Sequence, residues 1–177
     1  LVLLGAQPRR HRTLSDFVDQ LQDADLRTAL LPYLAGGTYG TLFDASSDAV
    51  GDAALQVFEL KHLLTLGEKV VTPAFLYLAH RIDRRLDGRP TLTVVEEIHA
   101  LLGRAGFADL LRTWLLTQRK RNGAVAMVFH TPAQLDALAA KQVVIESCPT
   151  RILLPNAEAG TAENARLYRE LGLTDAE

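Results

Sequence analysis

One cysteine, one methionine and one tryptophan occur among the 177 residues. The single thiol, Cys148, excludes an internal disulfide framework and fits a reducing compartment. No apolar run approaches the roughly 20 residues that cross a bilayer. The opening Leu1-Val-Leu-Leu-Gly-Ala is too short for that and lacks the charged start of a secretory signal. Because the only methionine is Met127, the expectation is that something upstream has been processed, cut away or left out. Charge of one sign is also lacking. A net charge of −2 gives no general pull toward nucleic acid or anionic membrane. Nor is there a Gly-x-x-x-x-Gly-Lys-Ser/Thr loop to cradle phosphates, or a Gly-x-Ser-x-Gly elbow around Ser147 or Cys148. Internal repeats and low-complexity tracts are absent.

What is present suits one soluble domain with a real core, at 48% hydrophobic and 23% charged residues. Residues 1–177 are expected to form that domain, with 1–53 a helical and loop lead-in and 54–177 an α/β core. Apolar spacing predicts helices over Thr13–Leu31, Leu66–Leu86, Phe107–Arg119, Pro132–Ala140 and Thr161–Leu171. Pro73 marks a first turn or a kink in the second of these. Short apolar runs predict strands at Gln56–Leu60, Leu92–Val95, Ala124–Phe129, Val143–Ile145 and Ile152–Leu154. Alternating strands and helices imply crossover units and a mainly parallel sheet, with Leu92–Val95 and Ala124–Phe129 covered on both faces. Ligands bind such sheets at the carboxyl ends of the strands. That rim carries Glu96, Glu97, His99, His130 and Thr131.

The run Thr91-Leu-Thr-Val-Val-Glu96-Glu97 ends a buried strand in two acids. Nucleotide hydrolases place a Mg²⁺-linked acid and a water-orienting acid in this way. Acids also commonly cap the turn after a strand. Glu97, His99 and His130 have the chemistry of transition-metal ligands, and equally of polar loop residues. Arg119-Lys120-Arg121 ends a helix, where the dipole favours cations, or serves as a phosphate sensor or arginine finger. Arg81, Arg84, Arg85 and Arg89 have no interleaved aromatics and read as a solvated face. Arg9-Arg10-His11-Arg12 reads as an exposed segment, and Cys148 as structural.

Several strings together resemble one family. They are Arg12-Thr-Leu-Ser-Asp-Phe17, Gly36-Gly-Thr-Tyr-Gly40 with Leu42-Phe-Asp44, Val57-Phe-Glu-Leu60 and Ala79-His-Arg-Ile82. Gly88-Arg-Pro-Thr91, Phe107-Ala-Asp109, Trp114 with Arg119-Lys120, and Ile145-Glu-Ser-Cys-Pro-Thr150 leading to Leu154-Pro-Asn156 continue the series. Their order resembles the carboxyl-terminal portion of the motor domain in the type IV secretion and conjugal transfer ATPases of the TrbE type. The last string is the most specific.

The resemblance implies a RecA-like P-loop NTPase fold, three-layered and mainly parallel, here incomplete because the phosphate-loop strand is absent. It implies ATP and Mg²⁺ as cofactors once the upstream portion is joined, and a hexameric homo-oligomer working with other subunits of a secretion machine. The location implied is cytoplasmic, peripheral to the inner membrane at most, without direct nucleic-acid binding. Carried over by position, Glu96 falls on the Walker B aspartate that helps hold the metal, and Glu97 on the catalytic glutamate. Arg119 and Lys120 fall on the basic motif that contacts nucleotide phosphates in the assembled ring, and Thr131 on a rim position beside the nucleotide. Three departures stand out. Walker A is missing, Glu96 is one methylene longer than aspartate, and Pro132 replaces the phosphate-sensing glutamine and cannot donate a hydrogen bond. The chain alone is therefore expected not to hydrolyse ATP. Without the phosphate-loop strand, the strand ending at Phe129 is expected to pair with another segment, such as Leu1–Leu4, or with a second chain. Two alternatives stay open: a degenerate, non-catalytic interaction module, and a metal-dependent hydrolase using Glu97 and His130.

Overall fold

The computed structural model describes residues 5–96 and 106–174. Contacts divide the chain into two compact units, Leu1–Ala74 and Phe75–Glu177.

In the first unit, α1 (Leu14–Asp19) opens with a capping box. The Thr13 hydroxyl accepts from Asp16 N at 3.1 Å, and the Asp16 carboxylate accepts from Thr13 N at 3.0 Å. The single helix expected over Thr13–Leu31 is in fact two. Asp23 caps a new helix, α2 (Ala24–Leu30), by accepting from Asp25 N and Leu26 N. That local bond competes with continuing the first helix. A 3-10 turn (Leu31–Tyr33) and α3 (Gly40–Phe43) follow. Between them the chain folds back so tightly that a Cβ on Gly40 would lie 2.1 Å from the Leu34 carbonyl oxygen. Only glycine fits there.

Asp44 locks this turn to α1. Its carboxylate accepts from the Ser15 backbone at 3.2 Å, from the Ser15 hydroxyl, and from Ala35 N at 2.7 Å. Burial is the largest single influence on its pKa and pushes it up. The several hydrogen bonds to the ionised form together outweigh burial, and the pKa is lowered.

Residues 45–60 carry no helix or strand, so the strand expected at Gln56–Leu60 is not formed, and Val57 is 83% exposed. A short helix, α4 (Lys61–Leu64), precedes α5 (Glu68–Arg85), which contains Pro73. Proline has no N–H for the carbonyl four residues back, which is that of Lys69. The Tyr33 hydroxyl donates to that carbonyl at 2.7 Å. The proline defect is thus satisfied by a side chain 36 residues earlier in the chain, and the helix runs on.

The second unit contains β1 (Thr91–Val95) and β2 (Gly123–Met127), parallel and in register from Thr91↔Gly123 to Val95↔Met127. Between them runs α6 (Phe107–Thr117), extended by a 3-10 turn (Gln118–Arg121). Leu111, Trp114 and Gln118 are buried at helical spacing, and the Thr93 hydroxyl donates to the Gln118 side-chain oxygen at 3.4 Å. Phe107 packs edge-on against Phe75 at 4.8 Å between ring centroids. Asn122 takes the left-handed conformation (φ 61°) that ends the turn and admits β2.

Among the described residues, one face of the sheet is covered and the other is not. Leu92 and Val94 are 65% and 53% exposed, which corrects the expectation that both strands are buried on two faces. Among the described residues no third strand joins β1 and β2. Leu1–Leu4, suggested as a filling strand, lie outside the described residues.

Three helices follow: α7 (Pro132–Asp136), α8 (Lys141–Ser147) and α9 (Ala162–Glu170). The strand expected at Val143–Ile145 is helical. Ala140 and Val144 are buried at i, i+4 spacing and α8 packs on α6, so packing overrides the strand preference of a β-branched run. Lys141 bridges Asp136 and Glu170 at 2.5 Å each, and Arg166 pairs with the same two acids. Ile152–Leu154, also expected as a strand, carries no strand pairing; Ile152 and Leu154 are 84% and 79% exposed.

Candidate functional site

Glu96 follows β1 directly and is exposed. Glu97 and His99 lie outside the described residues, so the acid pair is seen at one member. Parallel pairing puts the carboxyl end of β2 beside Glu96, since Val128 N donates to Val95 O at 3.0 Å. The loop leaving β2 carries His130 and Thr131 to this same rim.

Thr131 already has a structural task there. It is the N-cap of α7, and its hydroxyl accepts from Gln134 N at 3.4 Å. Pro132 occupies the first turn of α7, where a missing N–H costs nothing. Gln134 folds back, and its side-chain oxygen accepts from His130 N at 2.7 Å. The position expected to sense phosphate is built as a capped helix start.

Arg119 and Lys120 sit elsewhere. They belong to the 3-10 turn that leads into β2, at the amino end of the sheet, and both are exposed. Five strand residues at about 3.3 Å each place them roughly 16 Å along the sheet from the Glu96 rim. One copy of the chain does not bring Glu96, Thr131, Arg119 and Lys120 around one ligand.

Three hydrogen bonds join the basic turn to the α5–β1 turn. Arg121 Nη2 donates to Leu86 O at 2.5 Å, Asn122 Nδ2 to Gly88 O at 3.0 Å, and Thr91 N to Asn122 O at 3.2 Å. Within the α5–β1 turn, Arg89 pairs with Asp87 at 2.9 Å. The hydrogen bonds from Arg89 are the main reason the Asp87 pKa is lowered.

The specific string at 145–156 also proves structural here. Arg151 donates to the carbonyls of Leu171 at 2.7 Å and Ile145 at 3.1 Å. Asn156 Nδ2 donates to the Tyr168 hydroxyl at 3.0 Å. Burial raises the Cys148 pKa, only partly countered by the charge of Arg151, which makes it a poor nucleophile. Sequence reasoning missed Asp44, Tyr33, Arg121, Asn122 and Arg151 as positioning groups. The signal available for Asn122 was Asn-Gly after a cationic turn, and for Tyr33 the in-helix proline that needs an outside donor.

Among the described residues, no group of three histidine, cysteine or acidic side chains is placed to hold a metal. No described helix is long and apolar enough to cross a membrane.

No protein-family model matches the chain. It is 36% identical over 166 residues to the conjugal transfer protein TrbE of Rhizobium radiobacter, covering 94% of this chain and 20% of that protein. It is 35% identical over 175 residues to a probable conjugal transfer protein TrbE of Sinorhizobium fredii, covering 99% of the chain and 26% of the relative. With the type IV secretion system protein virB4 of Bartonella henselae it shares 32% identity over 162 residues, 88% of the chain and 20% of the relative. The chain thus spans a fifth to a quarter of the length of these relatives.

Proposed function

This chain belongs to the TrbE/VirB4 family of conjugal transfer and type IV secretion proteins, and on that premise we propose that it forms the carboxyl-terminal portion of an ATP-hydrolysing motor. The fold proposed for the joined protein is RecA-like and three-layered, with the phosphate-loop strand and Walker A supplied by residues outside this stretch. The observation that carries the reading is the parallel β1–β2 pair delivering Glu96 and Thr131 to one carboxyl rim. In that reading Glu96 contributes to holding Mg²⁺ beside the ATP phosphates, and Glu97 orients the attacking water.

Arg119 and Lys120, at the opposite end of the sheet, contact nucleotide phosphates held by a neighbouring copy. Such head-to-tail contacts close into rings, in keeping with a hexamer of this chain's full-length protein. The motor would act with the other subunits of a type IV secretion machine, in the cytoplasm at the face of the inner membrane.

A protein extending this chain upstream to include a Gly-Lys-Ser/Thr loop is expected to hydrolyse ATP. In it Glu97→Gln lowers turnover at least a hundredfold, as loss of a general base does. The 177-residue chain alone is expected not to bind Mg-ATP tightly. Absence of ATPase in the extended protein sinks the motor reading.

A second reading, a non-catalytic interaction module, is favoured by Thr131 and Gln134 being engaged in capping α7 and its preceding loop. It predicts that Glu97→Gln leaves secretion or transfer unchanged. The metal-dependent hydrolase reading is tested by elemental analysis of the purified chain, where stoichiometric zinc would revive it.

A further inference from the structure

The four-arginine strip of 81–89 and the basic turn of 119–121 are about 30 residues apart in sequence, and each alone reads as a solvated face or a favourable helix end. The fold joins them. Arg121 and Asn122 use their side chains on the carbonyls of Leu86 and Gly88, which closes the α5–β1 turn against the turn that starts β2. Arg84, on the last turn of α5, is exposed, as are Arg119 and Lys120, and none of the three has an ion pair among the described residues. The acids in the 83–89 segment do not cancel this charge: Asp87 is committed to Arg89, and Asp83 is half-buried.

We propose that the amino end of the sheet is one composite phosphate-binding surface, in which Arg84 adds to Arg119 and Lys120, and Arg121 and Asn122 are positioning residues that hold the two segments together. This rests on the reading above of Arg119 and Lys120 as phosphate contacts and extends it to a second segment. The ligand class is a compact polyphosphate, such as the triphosphate of a nucleotide held by a neighbouring copy. Guanidinium forks suit phosphate oxygens. The cations cluster at one end of a two-strand sheet instead of forming a track, and no aromatics are interleaved to stack bases, which disfavours a single-stranded nucleic acid.

The test measures binding of inorganic tripolyphosphate to the 177-residue chain by calorimetry at several salt concentrations. Arg84→Ala and Arg119→Ala are each expected to weaken binding about two- to fivefold, in line with exposed ion pairs, and to flatten its salt dependence. Glu96→Gln, at the far rim, is expected to leave it unchanged. Asn122→Gly keeps the left-handed backbone conformation and removes the bond to Gly88, so it is expected to weaken binding while far-UV circular dichroism is preserved. If Arg119→Ala weakens binding and Arg84→Ala does not, the composite surface is overturned and the reading of Arg119 stands. If tripolyphosphate does not bind, or neither substitution matters, both fall. Tighter binding of single-stranded DNA than of tripolyphosphate at matched salt overturns the ligand class.

Discussion

The two faces of β1 have opposite fates. Thr93 faces α6, is 9% exposed, and meets a helix stripe in which Leu111 is 0% and Trp114 2% exposed. Its neighbours Leu92 and Val94 point the other way and stand largely in solvent. One strand, alternating by single residues, therefore has a finished side and an unfinished one. Parallel sheets are normally covered on both faces, and a two-stranded sheet is marginal by itself. The covered side thus carries most of the second unit's stability.

The largest effect expected follows from that contrast. Leu111→Ala removes a fully buried side chain and is expected to cost about 2–5 kcal/mol, measured by urea unfolding followed through Trp114 fluorescence. A cost below about 1 kcal/mol, the range of surface substitutions, would mean that the α6–sheet contact is not the core of this unit.

The first unit is held in a different way, by one carboxylate instead of an apolar stripe. Asp44→Ala is expected to cost about 1–3 kcal/mol, because Ser15 and Ala35 lose their acceptor. The pH dependence has a definite sign. The folded pKa lies below the ordinary value of 3.8, so the stabilisation is fully present above that value and is lost as pH falls through the lower, folded one. Asp44→Asn should remove this acid limb from a stability–pH profile of the chain. An unchanged profile would assign the acid limb to other carboxylates.

Tyr33 and Pro73 give a smaller and more specific effect. Tyr33→Phe leaves the Lys69 carbonyl without its donor and is expected to cost about 1 kcal/mol. With Pro73→Ala in place, residue 73 regains an N–H for that same carbonyl, and the cost of Tyr33→Phe should shrink. A double-mutant cycle reads the coupling directly. Strict additivity would show that the hydroxyl does not compensate the proline.

These contrasts bear on what the sequence could show. The two paired strands, α5, α6 and α9 were legible because their apolar periodicity is long or their boundaries carry strong signals, such as Thr161 and Gly172 around α9. Val143–Ile145 reads as a strand because three β-branched residues imitate one, and only packing of Val144 on α6 decides for helix. Gln56–Leu60 and Ile152–Leu154 have the composition of strands but no strand pairing, and pairing is not a local property. Glu96, Arg119, Lys120 and Thr131 were legible as chemistry. That Arg119 and Lys120 lie at the end of the sheet opposite the other two is a fact of topology, set by where β2 begins. The stapling of Arg121 and Asn122 onto the α5–β1 turn has no sequence signal beyond Asn-Gly.

The smallest expected effect tests the unfinished face itself. Leu92→Thr replaces an exposed aliphatic side chain by a β-branched polar one of good strand propensity. In the 177-residue chain it should change stability by no more than about 0.5 kcal/mol, as surface substitutions do. In the upstream-extended protein of the motor reading, the same face would be covered by the third layer. The substitution should then cost more than about 1 kcal/mol, the order expected for a polar group placed in a buried apolar site. Equal, small costs in both proteins would leave Leu92 and Val94 exposed in the full molecule and remove the support this face gives to a three-layered fold. A large cost in the short chain would show that the face is already covered, and the contrast between the two sides of β1 would disappear.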